Sequence, residues 1–331
     1  MQQYKIKGYS PPTRGSFLTK SQSGYEKVGV VGSSGFVGSY LTGLLFRDGF
    51  NVTGMVRKAQ NDSLPYAVIE IGDILNPNGY DAVFKGMGTL VYTIARTHQV
   101  NEDSLDLEYV YNEINCDAMI KVAKAAQSQG VTRFVFLSSL KVLGEENLRG
   151  QSFYHDSVPR PQGPYGTSKL KAEKALIELG QLTGLEVVII RPPLIYGKGV
   201  KGNLETLIRA IRFRIPLPFF FLTQNRRSLV SLENLCNLIK ECIVSPLAKG
   251  EVFLVKDPEN LSTVGVIKLL SKEIKIKPIL FPLPDFILRG LLFLIGKKSI
   301  AQRLMGDLTV DDKYTKDTLG WVPKRYEDTF D

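Results

Sequence analysis

Three glycines at intervals of three residues, directly after a short apolar run, constrain this sequence more than any other feature. The run is Lys27–Val31, the glycines are Gly32, Gly35 and Gly38, and residues 36–47 continue with apolar residues at helical spacing. The first glycine permits a tight turn, the second lets backbone N–H groups approach a pyrophosphate, and the third lets helix and strand pack closely. The sequence therefore predicts a strand, a turn and a helix that bind a dinucleotide.

Apolar runs and helical patterns alternate as far as residue 191. The predicted strands are residues 27–31, 51–56, 67–71, 89–94, 133–137 and 185–190, and the predicted helices are residues 36–47, 107–127 and 165–182. Strands that are apolar along nearly their whole length are typical of a parallel sheet with helices on both faces. We therefore predict an α/β fold, a doubly wound parallel sheet of the Rossmann type, over residues 25–191. Residues 192–331 are predicted to form mostly a smaller C-terminal lobe, and residues 1–24 a flexible extension.

The charge balance favours a small, phosphorylated ligand over a nucleic acid. The net charge is +9, from 42 Lys and Arg against 33 Asp and Glu, but no basic block of five or more residues occurs. Lysines and arginines that are distributed along the whole sequence are only a weak indication of nucleic-acid binding. Three cysteines without a paired spacing predict free thiols in a reducing compartment, and two histidines at unrelated positions predict no metal site.

The most apolar segment, residues 279–296, is interrupted by prolines and charges and is too short to span a bilayer. We expect a buried helix here, with weak contact to a membrane surface as the alternative. Residues 1–23 are polar and show no secretory signal, so a cytoplasmic location is expected.

A serine pair and a tyrosine–lysine pair predict proton and hydride chemistry at a carbon–oxygen centre. Tyr165 and Lys169 are four residues apart on a predicted helix and share one face, and Ser139 ends a predicted strand. An ammonium beside a phenol is expected to lower the phenol's pKa, and the serine hydroxyl can polarise a substrate oxygen. The alternative is an ordinary surface tyrosine and lysine.

The residue after the second strand bears on the cofactor. An Asp or Glu at this point usually meets a free ribose 2′-hydroxyl, whereas this sequence has Arg57, which suits a 2′-phosphate. NADP(H) is therefore favoured and NAD(H) is possible, the alternative being a solvated basic turn. Asp73 is a candidate acceptor for the adenine amino group or a cap for the next turn. Ala95 is expected to pass beside the cofactor.

These motifs together resemble the extended short-chain dehydrogenase/reductase family, in its group of NAD-dependent epimerases and dehydratases that act on nucleotide sugars. The resemblance covers roughly residues 27–323 and is carried by GSSGFVG, GDI, YTIAR, FLSSLKVLG, PYGTSK, IIRPPLIYG, RRSLV and LGWVP. It implies that Ser139 and Tyr165 relay a proton with Lys169 as their partner. It also implies that the lobe after Arg191 binds a nucleoside diphosphate sugar.

The resemblance assigns further residues to the two ligands. The expected cofactor contacts are Gly32, Gly35, Phe36, Val37, Gly38, Arg57, Asp73, Ile74, Ala95, Tyr165, Lys169 and Pro192. The expected substrate contacts are Ser139, Lys141, Tyr165, Asn203, Arg227 and Arg303, with Arg226 and Lys201 as weaker candidates. Among these, Asn203 and Arg227 are expected to contact the diphosphate, and Lys141 either touches the sugar or has a structural role.

Within the family, the strings SSLKVLGEE, RPPLIYGKGVKGN and NRRSLVSLENL look most like bacterial reductases of UDP-4-keto-6-deoxy-N-acetylhexosamine. Such enzymes form UDP-N-acetylquinovosamine or its C4 epimer for surface polysaccharides. A 4,6-dehydratase is disfavoured because Ser139 is followed by Leu140-Lys141-Val142 and not by acidic residues. The alternatives are a UDP-hexose 4-epimerase with tightly bound NAD, a reductase of a non-nucleotide ketone, and a non-catalytic dinucleotide-binding protein. A homodimer through residues 107–127 and 165–182 is a family-based expectation.

Overall fold

The computed structural model of the chain describes residues 26–59, 64–75, 80–97, 107–294 and 296–325, so the predicted extension over residues 1–24 lies outside them. The strands are β1 Lys27–Val31, β2 Val52–Val56, β3 Ala67–Glu70, β4 Met87–Tyr92, β5 Arg133–Leu137, β6 Glu186–Arg191, β7 Leu194–Tyr196, β8 Arg227–Ser231, β9 Val252–Leu254 and β10 Asn260–Leu261. The helices are α1 Phe36–Arg47, α2 Tyr80–Val83, α3 Leu107–Asn112, α4 Ala118–Ser128, α5 Gly163–Thr183, α6 Asn203–Arg212, α7 Leu232–Val244, α8 Thr263–Glu273, α9 Asp285–Leu294, α10 Lys298–Met305 and α11 Lys313–Leu319.

Seven strands form one parallel sheet in the order β3-β2-β1-β4-β5-β6-β9. The strand order reverses between β1 and β4, which is where doubly wound sheets bind their ligands, outside the carboxyl ends of the strands. One face of the sheet packs against α1 and α7, and the other against α4 and α5. The predicted fold class is therefore confirmed.

A smaller lobe stands at the carboxyl edge of the sheet. It contains the three-stranded sheet β10-β8-β7 and a core of its own, to which α6 and α8 contribute. Phe36 at the start of α1 packs against this core and against the core of the main sheet.

The division at residue 191 separates these two parts only incompletely. β9 pairs with β6 in the main sheet, and α7 packs on α1. β9 was not predicted from the sequence, because a strand of three residues is too short to show a recognisable period.

The helix predicted within residues 279–296 forms as α9, but the expectation that it is buried is wrong. Leu288 is its buried residue, whereas Phe286 and Leu294 keep 76% and 81% of their surface exposed. The reason is that one stripe of α9 packs against apolar residues of the lobe, while the opposite stripe is largely exposed within the described part of the chain. Within the described part of the chain, no helix has the length and apolar character to cross a membrane.

Candidate active site

The glycine-rich turn between β1 and α1 closes so tightly that its glycines cannot be replaced freely. Gly32 has a φ of +89°, and its N–H and that of Ser33 donate to the carbonyl oxygen of Met55, at 3.0 and 3.1 Å. A Cβ on Gly38 would overlap the carbonyl group of Gly32. These contacts fix the turn beside β2.

The N-terminus of α1 is arranged to receive an anion. Its N-cap is Gly35, which provides no side-chain cap, and its first turn carries no acidic residue. The first N–H groups of the helix and its dipole therefore face outward for a negatively charged group. Val37 is buried and Phe36 is half-buried against two cores, so the backbone of this turn is what a pyrophosphate would meet. This cradle fits the predicted dinucleotide.

At the ends of β2 and β3, Arg57 and Asp73 lie side by side. The Arg57 Nη2 is 3.8 Å from the Asp73 Oδ2, and the Arg57 side chain is 82% exposed. The other carboxylate oxygen of Asp73 accepts the N–H of Leu75 at 3.1 Å, so Asp73 caps its turn. Ile74 packs half-buried against the sheet core, and Ala95 is half-buried just after β4.

Ser139 and Tyr165 meet where β5 and α5 come together. The Ser139 hydroxyl accepts the N–H of Lys141 at 3.3 Å and forms a hydrogen bond with the Tyr165 phenol. Burial raises the pKa of Tyr165 to about 12; the Ser139 hydrogen bond lowers it in part, and the nearby Tyr111 raises it further. The rings of Tyr111 and Tyr165 are 6.2 Å apart, edge to face. The Tyr165 phenol is therefore protonated at neutral pH.

Lys169 is completely buried one helical turn after Tyr165. Its Nζ donates to the carbonyl oxygen of Leu137 at 2.9 Å and lies 4.5 Å from the centre of the Phe136 ring. Burial lowers the pKa of Lys169 to about 7, against the opposing effect of Glu173. The expected lowering of the phenol's pKa by this lysine is not found, because burial dominates at Tyr165 and the ammonium is held by Leu137.

A buried ionic cluster that sequence reasoning missed supports this centre. Glu173 accepts two hydrogen bonds from Arg191, at 3.0 and 2.6 Å, and one from the Ser138 hydroxyl at 2.5 Å. All three side chains are buried. One signal existed in the sequence: Glu173 follows Lys169 by four residues and so shares its helix face.

Asn115 is a second missed residue. It is buried in a single π-helical turn, Glu113–Asp117, between α3 and α4. Its amide accepts the backbone N–H of Arg96 at 2.8 Å and donates to the carbonyl oxygen of Arg96 and to the Ser168 hydroxyl, at 3.2 and 3.0 Å. Asn115 thus joins the segment after β4 to α5, and π-helical turns are frequent at functional sites. The helix predicted over residues 107–127 is continuous here, because one extra residue in a single turn leaves no clear pattern in the sequence.

A line of charged side chains connects Tyr165 with two arginines of the smaller lobe. Lys141 Nζ lies 5.9 Å from the Tyr165 ring centre and 2.8 Å from Glu145 Oε1. Arg227 donates to the Gly306 carbonyl at 3.2 Å. Burial lowers the pKa of Arg227, the Arg303 cation lowers it further, and Glu145 raises it. Gly306 directly follows α10, the helix that carries Arg303, so Arg227 and Arg303 belong to the same corner of the lobe. Glu145, the ion-pair partner of Lys141, acts electrostatically on Arg227.

Two predicted site residues lie apart from this line. Asn203 is exposed at the first position of α6, and the contacts of the described residues do not join it to Arg227. Pro192 is buried after β6, and its carbonyl oxygen accepts the N–H of Leu140 at 2.8 Å, which holds the turn that carries Ser139. Among the residues with described positions, no group of His, Cys, Asp and Glu could hold a metal ion.

Comparison with known proteins gives consistent matches. The sequence model of the NAD dependent epimerase/dehydratase family matches residues 28–255. A UDP-glucose 4-epimerase of Vibrio cholerae is 39% identical over 297 residues, which are 89% of this chain and 90% of that protein. The N-acetyl-α-D-glucosaminyl-diphospho-ditrans,octacis-undecaprenol 4-epimerase of Escherichia coli O157:H7 is 27% identical over 84% of this chain and 82% of its own length. The UDP-glucuronic acid 4-epimerase of Bacillus cereus, solved with NAD, matches in fold with a TM-score of 0.71 at 18% identity, over 91% of this chain and 97% of that chain.

Proposed function

Because the chain belongs to the NAD dependent epimerase/dehydratase family, we propose that it is a 4-epimerase of a UDP-linked hexose. The observation that carries this proposal is the line from Tyr165 through Lys141 and Glu145 to Arg227 and Arg303. It puts a proton-transfer group at one end and two neighbouring cations at the other. That arrangement suits a sugar whose reacting hydroxyl and diphosphate are separated by the sugar ring.

The diphosphate is the part of the substrate that the smaller lobe is best equipped to bind. Arginines suit phosphates because the guanidinium forms paired, charge-assisted hydrogen bonds. Arg227 is half-buried, so bound phosphate oxygens would be partly shielded from water and held more strongly. Arg227 and Arg303 would contact the diphosphate and not the nucleoside or lipid attached to it. The pair therefore fits a nucleoside diphosphate and also the polyprenyl diphosphate named for the Escherichia coli relative.

The cofactor would be held by the backbone of the turn at Gly32 and Gly35 and by the N-terminus of α1. A nicotinamide dinucleotide bound there supplies the acceptor and donor of the hydride. The charge of Arg57 would favour NADP(H), the cofactor that the sequence favours, whereas the neighbouring Asp73 carboxylate would oppose a 2′-phosphate and favour NAD(H).

In this reaction the protein would transfer the proton of the C4 hydroxyl and would stabilise the C4 oxygen. Because the Tyr165 phenol is protonated at neutral pH, it must first lose its own proton. Its phenolate would then accept the proton of the C4 hydroxyl while C4 gives up its hydride to the dinucleotide that would be bound at the glycine turn, and a C4 ketone forms. Ser139, which hydrogen-bonds Tyr165, donates to the same oxygen and stabilises the charge that develops on it. After the ketone presents its opposite face, the hydride returns to C4 and Tyr165 returns the proton, so the epimer leaves with no net oxidation.

A 4-keto reductase is the second candidate, and the state of Tyr165 favours it. With a pKa of about 12, the phenol is protonated at neutral pH and is ready to give its proton to a C4 ketone oxygen. Arg57 supports the same candidate, since net reductases exchange their cofactor in each turnover and commonly use NADPH. The substrate would be a UDP-4-keto-6-deoxy-N-acetylhexosamine, as the sequence strings indicate.

One pair of assays separates the two candidates. The purified protein is incubated without added cofactor with UDP-glucose and with UDP-N-acetylglucosamine, and the C4 epimers are followed by NMR. In parallel, NADH and NADPH oxidation is followed with UDP-4-keto-6-deoxy-N-acetylglucosamine. Epimer formation supports the first candidate, and stoichiometric oxidation of the reduced cofactor replaces it with the second. Loss of both activities, with cofactor binding intact, would overturn the assignment to C4 of these sugars.

A further inference from the structure

Two segments of the smaller lobe expose a set of large apolar side chains. One segment follows α6 and the other leads into and includes α9. We call this set the outer apolar surface; its members are Phe213, Ile215, Phe220, Phe221, Ile279, Phe281, Phe286, Ile287, Leu291 and Leu294. Exposed apolar side chains are common singly, but such a concentration marks an interaction site.

Backbone hydrogen bonds join the two segments, so the surface is an ordered part of the fold. The N–H of Leu217 donates to the carbonyl oxygen of Ile279 at 2.8 Å, and the N–H of Phe281 donates to that of Leu217 at 3.0 Å. Beneath them, Leu288 is buried and packs in one cluster with Phe219. The exposed residues therefore stand on an ordered apolar base.

Helix α9 is apolar on both of its sides. Leu288 and Leu292 face the lobe, where they join the buried cluster. Phe286 and Leu294 lie on the side away from Leu288, and both they and Leu291 are at least half exposed. A helix that is apolar all round is normally covered on all sides. The outer side of α9 is thus suited to an apolar partner.

The charge around this surface is strongly one-sided. Over residues 212–221 and 275–297 the sequence contains one acidic residue, Asp285. It contains six basic residues in the same ranges, all exposed: Arg212, Arg214, Lys275, Lys277, Arg289 and Lys297. Each of them lies within a few positions of an exposed apolar residue.

We propose that the outer apolar surface docks the protein on an anionic lipid bilayer. Aromatic and aliphatic side chains would enter the boundary between headgroups and acyl chains, while the basic residues meet lipid phosphates. With 10 residues, α9 is about 15 Å long, too short to span a bilayer but suited to lie in its surface. A second copy of the chain fits less well, because a symmetric contact would bring two sets of cations together.

Docking in this way would bring the candidate active site close to the membrane. α9 packs against α10, and α10 carries Arg303, the neighbour of Arg227. Leu304 and Met305 at the end of α10 pack in the cluster that contains Leu288. The proposed diphosphate-binding cations therefore lie one helix away from the docking surface. The docking itself does not depend on which reaction the site catalyses.

Co-sedimentation with vesicles tests the proposal. The full-length protein is mixed with vesicles of phosphatidylcholine alone and of phosphatidylcholine with one quarter phosphatidylglycerol. We expect binding to the anionic vesicles, weaker binding to the neutral ones, and weakening by added salt. The double variant Phe286→Ser/Leu294→Ser should lower the partition coefficient at least tenfold. Arg214→Gln/Arg289→Gln should lower binding to the anionic vesicles selectively.

The matched control is Leu148→Ser/Val322→Ser, which removes two apolar residues of similar exposure outside the surface and should leave binding unchanged. Far-UV circular dichroism and the 4-epimerase or 4-keto reductase assay verify that each variant is folded. Failure to bind either kind of vesicle, or equal binding by the Phe286/Leu294 variant, would overturn the proposal. So would a fall in oligomeric state of that variant in the ultracentrifuge without lipid, which would make the surface a contact between copies.

Discussion

Glu173 on α5 and Arg191 at the end of β6 form a two-point ion pair inside the protein, with N–O distances of 3.0 and 2.6 Å. The same carboxylate accepts the hydroxyl of Ser138, the residue before Ser139, and acts electrostatically on Lys169. One buried anion therefore connects the strand end next to Ser139, the predicted catalytic serine, with the helix that carries Lys169. Removal of the Glu173 charge should therefore lower the stability of the fold, and through it disturb the geometry of the site.

Glu173→Gln tests this ion pair. The change keeps the shape of the side chain but leaves the Arg191 charge buried without its counterion, which typically costs about 3–5 kcal/mol. We expect the free energy of unfolding in urea to fall by that amount. The control is Glu205→Gln, which breaks an exposed pair with Arg209 and should change stability by less than about 0.5 kcal/mol. Equal effects of the two variants would contradict a structural role for the buried pair.

The lowered pKa of Lys169 predicts how stability depends on pH. The unfolded chain holds this proton up to about pH 10.5, whereas the folded protein releases it near pH 7. Between these values the unfolded state binds more protons, so the free energy of unfolding rises with pH. From pH 7 to pH 9 the wild type should gain about 2 kcal/mol relative to Lys169→Met, as measured by urea denaturation.

Lys171→Met is the control for that measurement, because Lys171 lies on the same helix but is half exposed. Its pH profile of stability should follow that of the wild type. A Lys169→Met profile parallel to the wild type would mean that Lys169 keeps an ordinary pKa.

Two glycines of α1 give opposite predictions for the same substitution. Gly38→Ala would place a Cβ against the carbonyl group of Gly32 and force the turn to open. We expect a loss of roughly 1–3 kcal/mol and at least tenfold weaker cofactor binding. At Gly43 the nearest atom to a new Cβ is the flexible end of Arg47, 3.6 Å away. Gly43→Ala should therefore stabilise the protein by up to about 1 kcal/mol and leave cofactor affinity unchanged. Calorimetry and cofactor titration measure both effects, and weakened binding in both variants would contradict the role of the tight turn.

The fold was predictable to the extent that its residues follow a simple period. β1 to β6 are mostly apolar, and the glycine turn and the Tyr165–Lys169 pair are recognisable from spacing. β9 and the division between the lobes depend on contacts distant in sequence, so no local pattern predicts them. The outer side of α9 shows a further limit of sequence-based prediction. A run of apolar residues predicts that a helix will be covered, but it does not tell whether the covering residues belong to the same chain.

The candidate site was predictable where side chains act through their own chemistry. Ser139, Tyr165, Arg227 and Arg303 were identified from residue type and motif, and their assignment as catalytic and substrate-binding residues stays a prediction. Asn115 and Glu173 were missed, because their importance comes from burial and from what they touch. The homodimer, the cytoplasmic location and the preference for NADP(H) also stay predictions.

Tyr165→Phe tests the proton-transfer group. Removal of the hydroxyl takes away the acid and base while the ring still fills its place beside Tyr111. We expect kcat to fall by roughly 10²–10⁴ with cofactor affinity within about threefold of the wild type. Tyr154→Phe, at an exposed tyrosine, should leave both quantities unchanged. Turnover that survives in Tyr165→Phe would remove this residue from the mechanism.

Arg57→Ser tests the choice of cofactor. The Arg57 guanidinium is 82% exposed beside the Asp73 carboxylate, so its charge is available to a 2′-phosphate but is partly balanced by Asp73. If it binds that phosphate, the variant should lose at least tenfold in affinity for NADPH and keep its affinity for NADH, since a charge-assisted hydrogen bond contributes about 1.5–3 kcal/mol. Asp73→Asn should shift the preference in the opposite direction, because it removes the carboxylate that repels the phosphate. Fluorescence titration of each variant with both cofactors measures the ratio. An unchanged ratio in both variants would mean that the Arg57–Asp73 pair only fastens the ends of β2 and β3, and that the cofactor is selected elsewhere.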